Sequence, residues 1–139
     1  MGEKLFPNDK VIVTQYFDIH QDWDVPIPAF FIIASTKGRV SIDEFNDEEV
    51  EEFFTLLRKL RKGMRKVLGI ETVCLFQNEG THHRLFHLWV FPRYEWMDRF
   101  GAKVESIRPV INYAKENMAN TDVSREVNDA VQKIGDYMK

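Results

Sequence analysis

The stretch Gln77-Asn78-Glu79-Gly80-Thr81-His82-His83-Arg84-Leu85-Phe86-His87-Leu88-Trp89-Val90-Phe91-Pro92-Arg93 carries three of the chain's 4 histidines and decides how the rest is read. From Leu85 to Phe91 it is aromatic and aliphatic, with a Gly-containing polar turn before it and Pro92 after it, the pattern of a buried strand. Side chains alternate across a strand, so Phe86, Leu88 and Val90 define one wholly apolar face. Leu85, His87, Trp89 and Phe91 define the other, which presents an imidazole between two large side chains. The preceding run, Glu71 to Phe76, reads as a second strand, and the turn Gln77 to Thr81 joins the two as a hairpin.

Upstream of this hairpin the chain alternates strand and helix signals. Lys10 to Phe17 has the β-branched and aromatic content of a strand. Asp18 to Asp24, followed by Pro26 and Pro28, reads as a loop, because proline excludes both a helix and a central strand there. Ala29 to Ser35 is apolar on both sides and reads as a central strand, with Lys37-Gly38 at its exit. Asn46 then supplies an N-cap, and Asp47, Glu48 and Glu49 place acidic groups in the first turn, where the helix dipole favours them. A long helix follows from about Asp47 to Leu68. Val50, Phe53, Phe54, Leu57, Leu60, Met64, Val67 and Leu68 form one broad apolar face and Arg58, Lys59, Arg61, Lys62, Arg65 and Lys66 the other, a solvated helix face. Gly69 ends it.

Downstream, Tyr94 to Gly101 is aromatic and charged without a period and reads as irregular. Ser106 to about Asn117, with Pro109 in its first turn, and Asp122 to Met138 both read as helices. In the second, Val123, Val127, Ala130, Val131 and Ile134 fall on one face.

Composition sets the outer limits. A chain of 139 residues with 44% hydrophobic content reads as one soluble globular domain. No apolar run reaches membrane-spanning length, and Met1 to Pro7 lacks the pattern of a secretory signal, so a cytoplasmic location and no membrane partner are expected. The single Cys74 excludes an internal disulfide framework and a CxxC metal site. A formal charge of −3 argues against a general nucleic-acid surface while leaving room for a small phosphate site. A metal centre built from His20, His82, His83 and His87 would need converging neutral imidazoles, and no pair stands at a helical i, i+4 interval. No metal site is expected.

The order strand, loop, strand, helix, strand, strand, ending in His87-Leu88-Trp89-Val90-Phe91-Pro92-Arg93, resembles the histidine triad (HIT) family of nucleotide hydrolases and transferases over roughly residues 10 to 95. Counting back from Pro92-Arg93 puts His87 in register with the family's central histidine, its nucleophile. Asn78-Glu79-Gly80 resembles the family's upstream turn, and Phe30 to Ala34 followed by Lys37, Gly38 and Arg39 resembles its earlier strand and basic segment. The triad is degenerate. Leu85 and Trp89 stand where the first and third motif histidines would be, Phe30 stands at a position where many members carry histidine, and the turn between Asn78 and His87 is shortened.

The resemblance implies a single α+β domain over residues 1–139. Its HIT-like core spans about 10–95 and a C-terminal helical segment about 102–139, with about five antiparallel strands, the long helix on one face and C-terminal helices completing it. It implies a nucleotide phosphoanhydride hydrolase, similar to the diadenosine polyphosphate hydrolases, in which His87 attacks the α-phosphorus and a nucleotidyl-histidine forms. Substrate would be held by Asn78, Gly80, His82, His83, Trp89, Asp18, Asp22, Trp23, Lys37 and Arg93, with Phe17, Ile19 and Arg84 as further candidates. Trp89 has one indole N–H to donate and cannot protonate a leaving oxygen, so His82 or His83 is the candidate to replace the missing acid. No cofactor is required, although Mg²⁺ would accompany the phosphates of a nucleotide or dinucleoside polyphosphate. A homodimer is expected. The alternative is a nucleotide-binding protein of the same fold with catalysis weakened, and a third reading is an interaction module with no nucleotide pocket.

Overall fold

The computed structural model describes residues 4–79 and 85–139. Five strands form one antiparallel sheet: β1 Lys10–Val13, β2 Phe17–Gln21, β3 Phe31–Ser35, β4 Val73–Phe76 and β5 His87–Pro92. Their spatial order is β1-β2-β3-β5-β4, so the hairpin read from the sequence is present as β4 and β5, and β5 is the strand that joins it to β3.

The expected single strand from Lys10 to Phe17 is two strands. The chain turns at Thr14 to Tyr16 and returns as β2, so Asp18 to Gln21, read as loop, is strand. A distant carboxylate explains the turn. Glu52 accepts from the Thr14 hydroxyl at 2.6 Å and from the Tyr16 backbone N–H at 3.0 Å. The Thr14 N–H closes on the Phe17 carbonyl at 2.8 Å. The proline-bearing loop before β3 is retained. There Ala29 has φ 66°, within a turn in which the Phe30 N–H donates to the Ile27 carbonyl at 3.2 Å. Pro28 suits the second position of such a turn, and the third, which requires positive φ, is held here by alanine in place of glycine.

Helix α1 spans Asp47–Leu68 and begins with a capping box between Asn46 and Glu49. Gly69 closes it at φ 68° in the left-handed conformation that glycine adopts without strain. Two further helices follow, α2 Ile107–Asn117 and α3 Thr121–Met138. Tyr94 to Gly101, read as irregular, contains a 3-10 helix over Glu95–Phe100.

These helices cover the two faces of the sheet separately. Phe17, Ile19, Phe31, Ile33, Phe86, Leu88 and Val90 turn to the α1 and α3 side, where Phe53, Leu60, Met64, Val127 and Ile134 complete a buried core. Helices α1 and α3 come close at Gly63, where a Cβ would stand 2.8 Å from the Tyr137 ring. On the opposite face Phe30, Ile32 and Phe91 pack against Met97 from the 3-10 helix and Ile107, Val110, Ile111 and Ala114 from the start of α3's neighbour, α2. The C-terminal segment thus buries part of the face that carries His87.

Candidate functional site

His87 opens β5 on the α2 side of the sheet. Its Nδ1 lies 2.9 Å from the backbone carbonyl oxygen of Leu85. A carbonyl can only accept, so the neutral imidazole keeps its proton on Nδ1 and leaves the Nε2 lone pair free. The position that lacks a histidine side chain at 85 therefore still orients His87 through its backbone. Trp89, two residues on and on the same face, has its ring centroid 5.8 Å from the imidazole. It is wedged edge-on between Phe76 at 4.6 Å and Phe30 at 6.0 Å.

Strand register places the other polar groups of this face. Ala34 is the Cα partner of both His87 on β5 and Asp18 on β2. Directly opposed residues share a face, so Asp18, Ala34 and His87 form one row, with about 10 Å between the outer two Cα atoms. The next row is His20, Ile32 and Trp89. Ile32 is buried beneath the C-terminal segment, whereas Ala34, Trp89 and His87 remain half-buried. We call this row the trough, since its middle residue is a short alanine between a carboxylate and an imidazole.

Asp18 is tightly engaged. Its Oδ1 accepts from His20 Nδ1 at 3.2 Å and its Oδ2 from Lys10 Nζ at 3.1 Å. Burial favours the protonated acid, but the hydrogen bonds from His20 and Lys10 outweigh it and hold Asp18 below the ordinary carboxylate value. His20 is itself buried and stacks on Trp23, with centroids 5.0 Å apart and planes at 17°. Lys4 Nζ sits 3.8 Å from the Trp23 ring centroid, and the Trp23 carbonyl accepts from the Leu5 and Phe6 N–H groups. The indole is thus in contact with both an imidazole and an ammonium.

Several other sequence candidates hold the fold together. Asp22 Oδ1 accepts from the Asp24 and Val25 N–H groups at 3.1 and 3.0 Å, an Asx turn that shapes the loop. Burial pushes its carboxyl above the ordinary value against those two bonds. Arg93 is engaged just past the end of β5 that lies away from His87. Its guanidinium donates to Ser106 Oγ at 2.9 Å and to the Gly101 carbonyl at 2.7 Å, and its side chain is 8% exposed. Lys37 is exposed just beyond β3, and Asn78 is exposed in the turn after β4. Phe17 and Ile19 face the α1 core and not the trough. Gly80, His82, His83 and Arg84 lie outside the described residues.

Two residues take parts in this arrangement that the sequence reading does not give them: His20, weighed there only as a metal ligand, and Glu79, quoted there only within the Asn78-Glu79-Gly80 turn. His20 was missed as a neighbour of Asp18 because β2 was read as loop; period-two alternation over Phe17 to Gln21 would have put both on one face. Glu79 fixes the turn before β5 to the segment after β3, accepting from Ser41 Oγ at 2.7 Å, from the Ile42 N–H at 3.0 Å and from the Gln77 amide. The bonds from Ser41 and Ile42 hold its carboxyl low in spite of burial. Among the described residues no group of three or more His, Cys, Asp or Glu side chains converges as a metal centre would, and no helix is long and apolar enough to cross a membrane.

With this geometry the chain matches solved histidine triad structures. A histidine triad protein from Marinobacter aquaeolei VT8 superposes with a TM-score of 0.60 at 16% identity, over 96% of this chain and 99% of that one. A zinc-bound histidine triad family protein from Mycobacterium smegmatis gives 0.58 at 15% identity, over 94% and 88%. A HIT-like protein involved in cell-cycle regulation from Bartonella henselae gives 0.60 at 13%, over 99% and 88%. No family model and no curated protein matches the sequence. The fold is that of the histidine triad proteins, an α+β fold on a five-stranded antiparallel sheet.

Proposed function

We propose that this protein is a nucleotide phosphoanhydride hydrolase, with dinucleoside polyphosphates as its substrate class and His87 as its nucleophile. The observation that carries the reading is the Leu85 carbonyl on His87 Nδ1, which leaves Nε2 as a free nucleophile on the half-open face of the sheet. Nε2 attacks the α-phosphorus, the bond to the bridging oxygen breaks, and the polyphosphate leaves as an anion, a departure that a general acid accelerates but does not have to complete. Water then attacks the nucleotidyl-histidine, the P–N bond breaks, and a nucleoside monophosphate departs with the imidazole restored.

Asp18, across Ala34 from His87, is suited to accept from ribose hydroxyls. Lys37 and Asn78 stand at the ends of the strands on either side of β5 and serve the phosphates, together with Gly80, His82 and His83 of the intervening turn. Trp23 contributes a wall of the nucleoside end. Asp22 and Arg93 act by holding their loops. Mg²⁺ enters only with the substrate's phosphates.

A weakened nucleotide-binding protein is the second reading, favoured by Trp89, whose indole cannot deliver a proton to a leaving group. Incubation with diadenosine tetraphosphate, wild type beside His87→Ala, separates the two. Release of AMP and ATP by wild type and its loss in the variant is expected. A nucleotide-dependent rise in melting temperature without turnover in either protein would identify the binding protein.

A further inference from the structure

A second concavity lies at the far end of β5, on the order of 20 Å along the strand from His87. This cleft of about 430 Å³ is floored by Ile70, Tyr94 and Ala130 and walled by Trp96 and Met118. Its size falls within the range of small-molecule sites. Tyr94, two residues beyond the end of β5, donates its hydroxyl to the Pro28 carbonyl, so the floor is fixed. The rim is charged. Glu126 and Asp129 project from α3 one turn apart, and neither takes part in an ion pair among the described residues. Lys133, one turn further, offsets one of them and leaves a net negative edge over an aromatic wall.

We propose that this cleft binds a small organic cation, an alkyl- or arylammonium with an apolar body, at a site separate from the His87 trough. The apolar part would fill the space over Ile70, Tyr94 and Ala130, and the ammonium would lie between the Glu126 and Asp129 carboxylates and the Trp96 ring. The arrangement selects by charge, because a neutral molecule of the same shape gains the apolar contact and nothing from the rim.

Phenylethylamine, a cation at pH 7, and its neutral counterpart phenylethanol test this on the full chain, followed through the indole N–H resonances of the three tryptophans. Trp96→Phe assigns the Trp96 signal. The amine is expected to move that signal saturably and to bind about fivefold more tightly than the alcohol, the scale of an exposed ion pair with a cation–π contact. The double variant Glu126→Gln/Asp129→Asn changes two exposed helix positions and is expected to bring the amine down to the affinity of the alcohol. His87→Ala is expected to bind the amine as wild type does. Equal affinity for amine and alcohol, a shift confined to another tryptophan, amine binding untouched by the double variant, or no saturable shift would each overturn the proposal.

Discussion

Asp18 and His87 stand on opposite sides of Ala34 in a single cross-strand row, two strands apart on the same face of the sheet. One offers a carboxylate held ionised by Lys10 and His20, the other a ring nitrogen freed by a backbone carbonyl. A group bridging them lies over a methyl, the one small side chain in a row otherwise flanked by aromatics and branched residues.

That spacing separates binding from chemistry. Asp18→Asn keeps an acceptor but removes the charge, so steady-state kinetics with diadenosine tetraphosphate should show KM raised by roughly five- to tenfold, the scale of one charge-assisted hydrogen bond, with kcat nearly unchanged. His87→Ala should lower kcat by at least about a thousandfold, the order seen when a nucleophile is removed. An equal loss of kcat in both variants would remove Asp18 from the nucleoside end.

Arg93 makes the opposite case. Its forked bonds to Ser106 and Gly101 tie the strand end to the start of α2. Lysine keeps the positive charge but cannot reproduce the fork. Arg93→Lys should therefore cost about 2 kcal/mol of stability by urea denaturation while leaving KM for the nucleotide within about twofold. A large KM effect with full stability would instead make the guanidinium a phosphate ligand.

Glu49 ties stability to pH. It is buried, it caps α1 through the Asn46 N–H, and it accepts from Arg39 Nε and Nη2 at 3.0 and 2.8 Å. The Arg39 hydrogen bonds hold its carboxyl below the ordinary 4.5 against the effect of burial. With the folded value depressed, the unfolded chain binds more protons near that pH, so this contribution is complete well above 4.5 and is lost as pH falls through the folded value. Glu49→Gln retains a side chain competent for the capping box and removes the charge. It should lower the urea midpoint at pH 7 and flatten its decline between about pH 5 and pH 3. A variant whose midpoint falls with acid as steeply as wild type would show that other carboxylates govern the acid limb.

The elements legible in the sequence were those whose causes are local. Helix α1 carries its own capping box, apolar stripe and terminal glycine within Asn46 to Gly69, and it forms over Asp47–Leu68 as read. Strand β5 shows its two faces in its own alternation, and both are present in the packing. The turn that separates β1 from β2 was not legible, because the group that stabilises it, Glu52, lies more than thirty residues away on α1. For the same reason Asp18 and His20 are both named in the sequence reading, one as a substrate ligand and the other in a rejected metal centre, while their pairing is not legible there. Arg93 carried the charge of a phosphate ligand in sequence, and only the position of Ser106 and Gly101 gives it a structural task.

The apolar surface left on the α1 side bears on the expected homodimer. Phe54 is 56% exposed and Val50, one turn before it, 41%, on a helix whose outer face is mostly charged. Leu75 is 48% exposed on β4, one of the two edge strands, whose outer edge has no partner among the described residues. Exposed phenylalanine on a charged helix and an unpaired strand edge both cost solubility unless something covers them. A second copy of the chain covers the strand edge if the two β4 strands meet about a two-fold axis, or Phe54 and Val50 if the two α1 helices do, since the axis brings the same patch to each side. Sedimentation of wild type at micromolar concentration should therefore give twice the chain mass of 16.4 kDa. Phe54→Glu, at a site already in water within one copy, should give a monomer with an unchanged far-ultraviolet circular dichroism spectrum. A wild-type monomer would remove the dimer, and a variant that stays dimeric would move the interface away from α1.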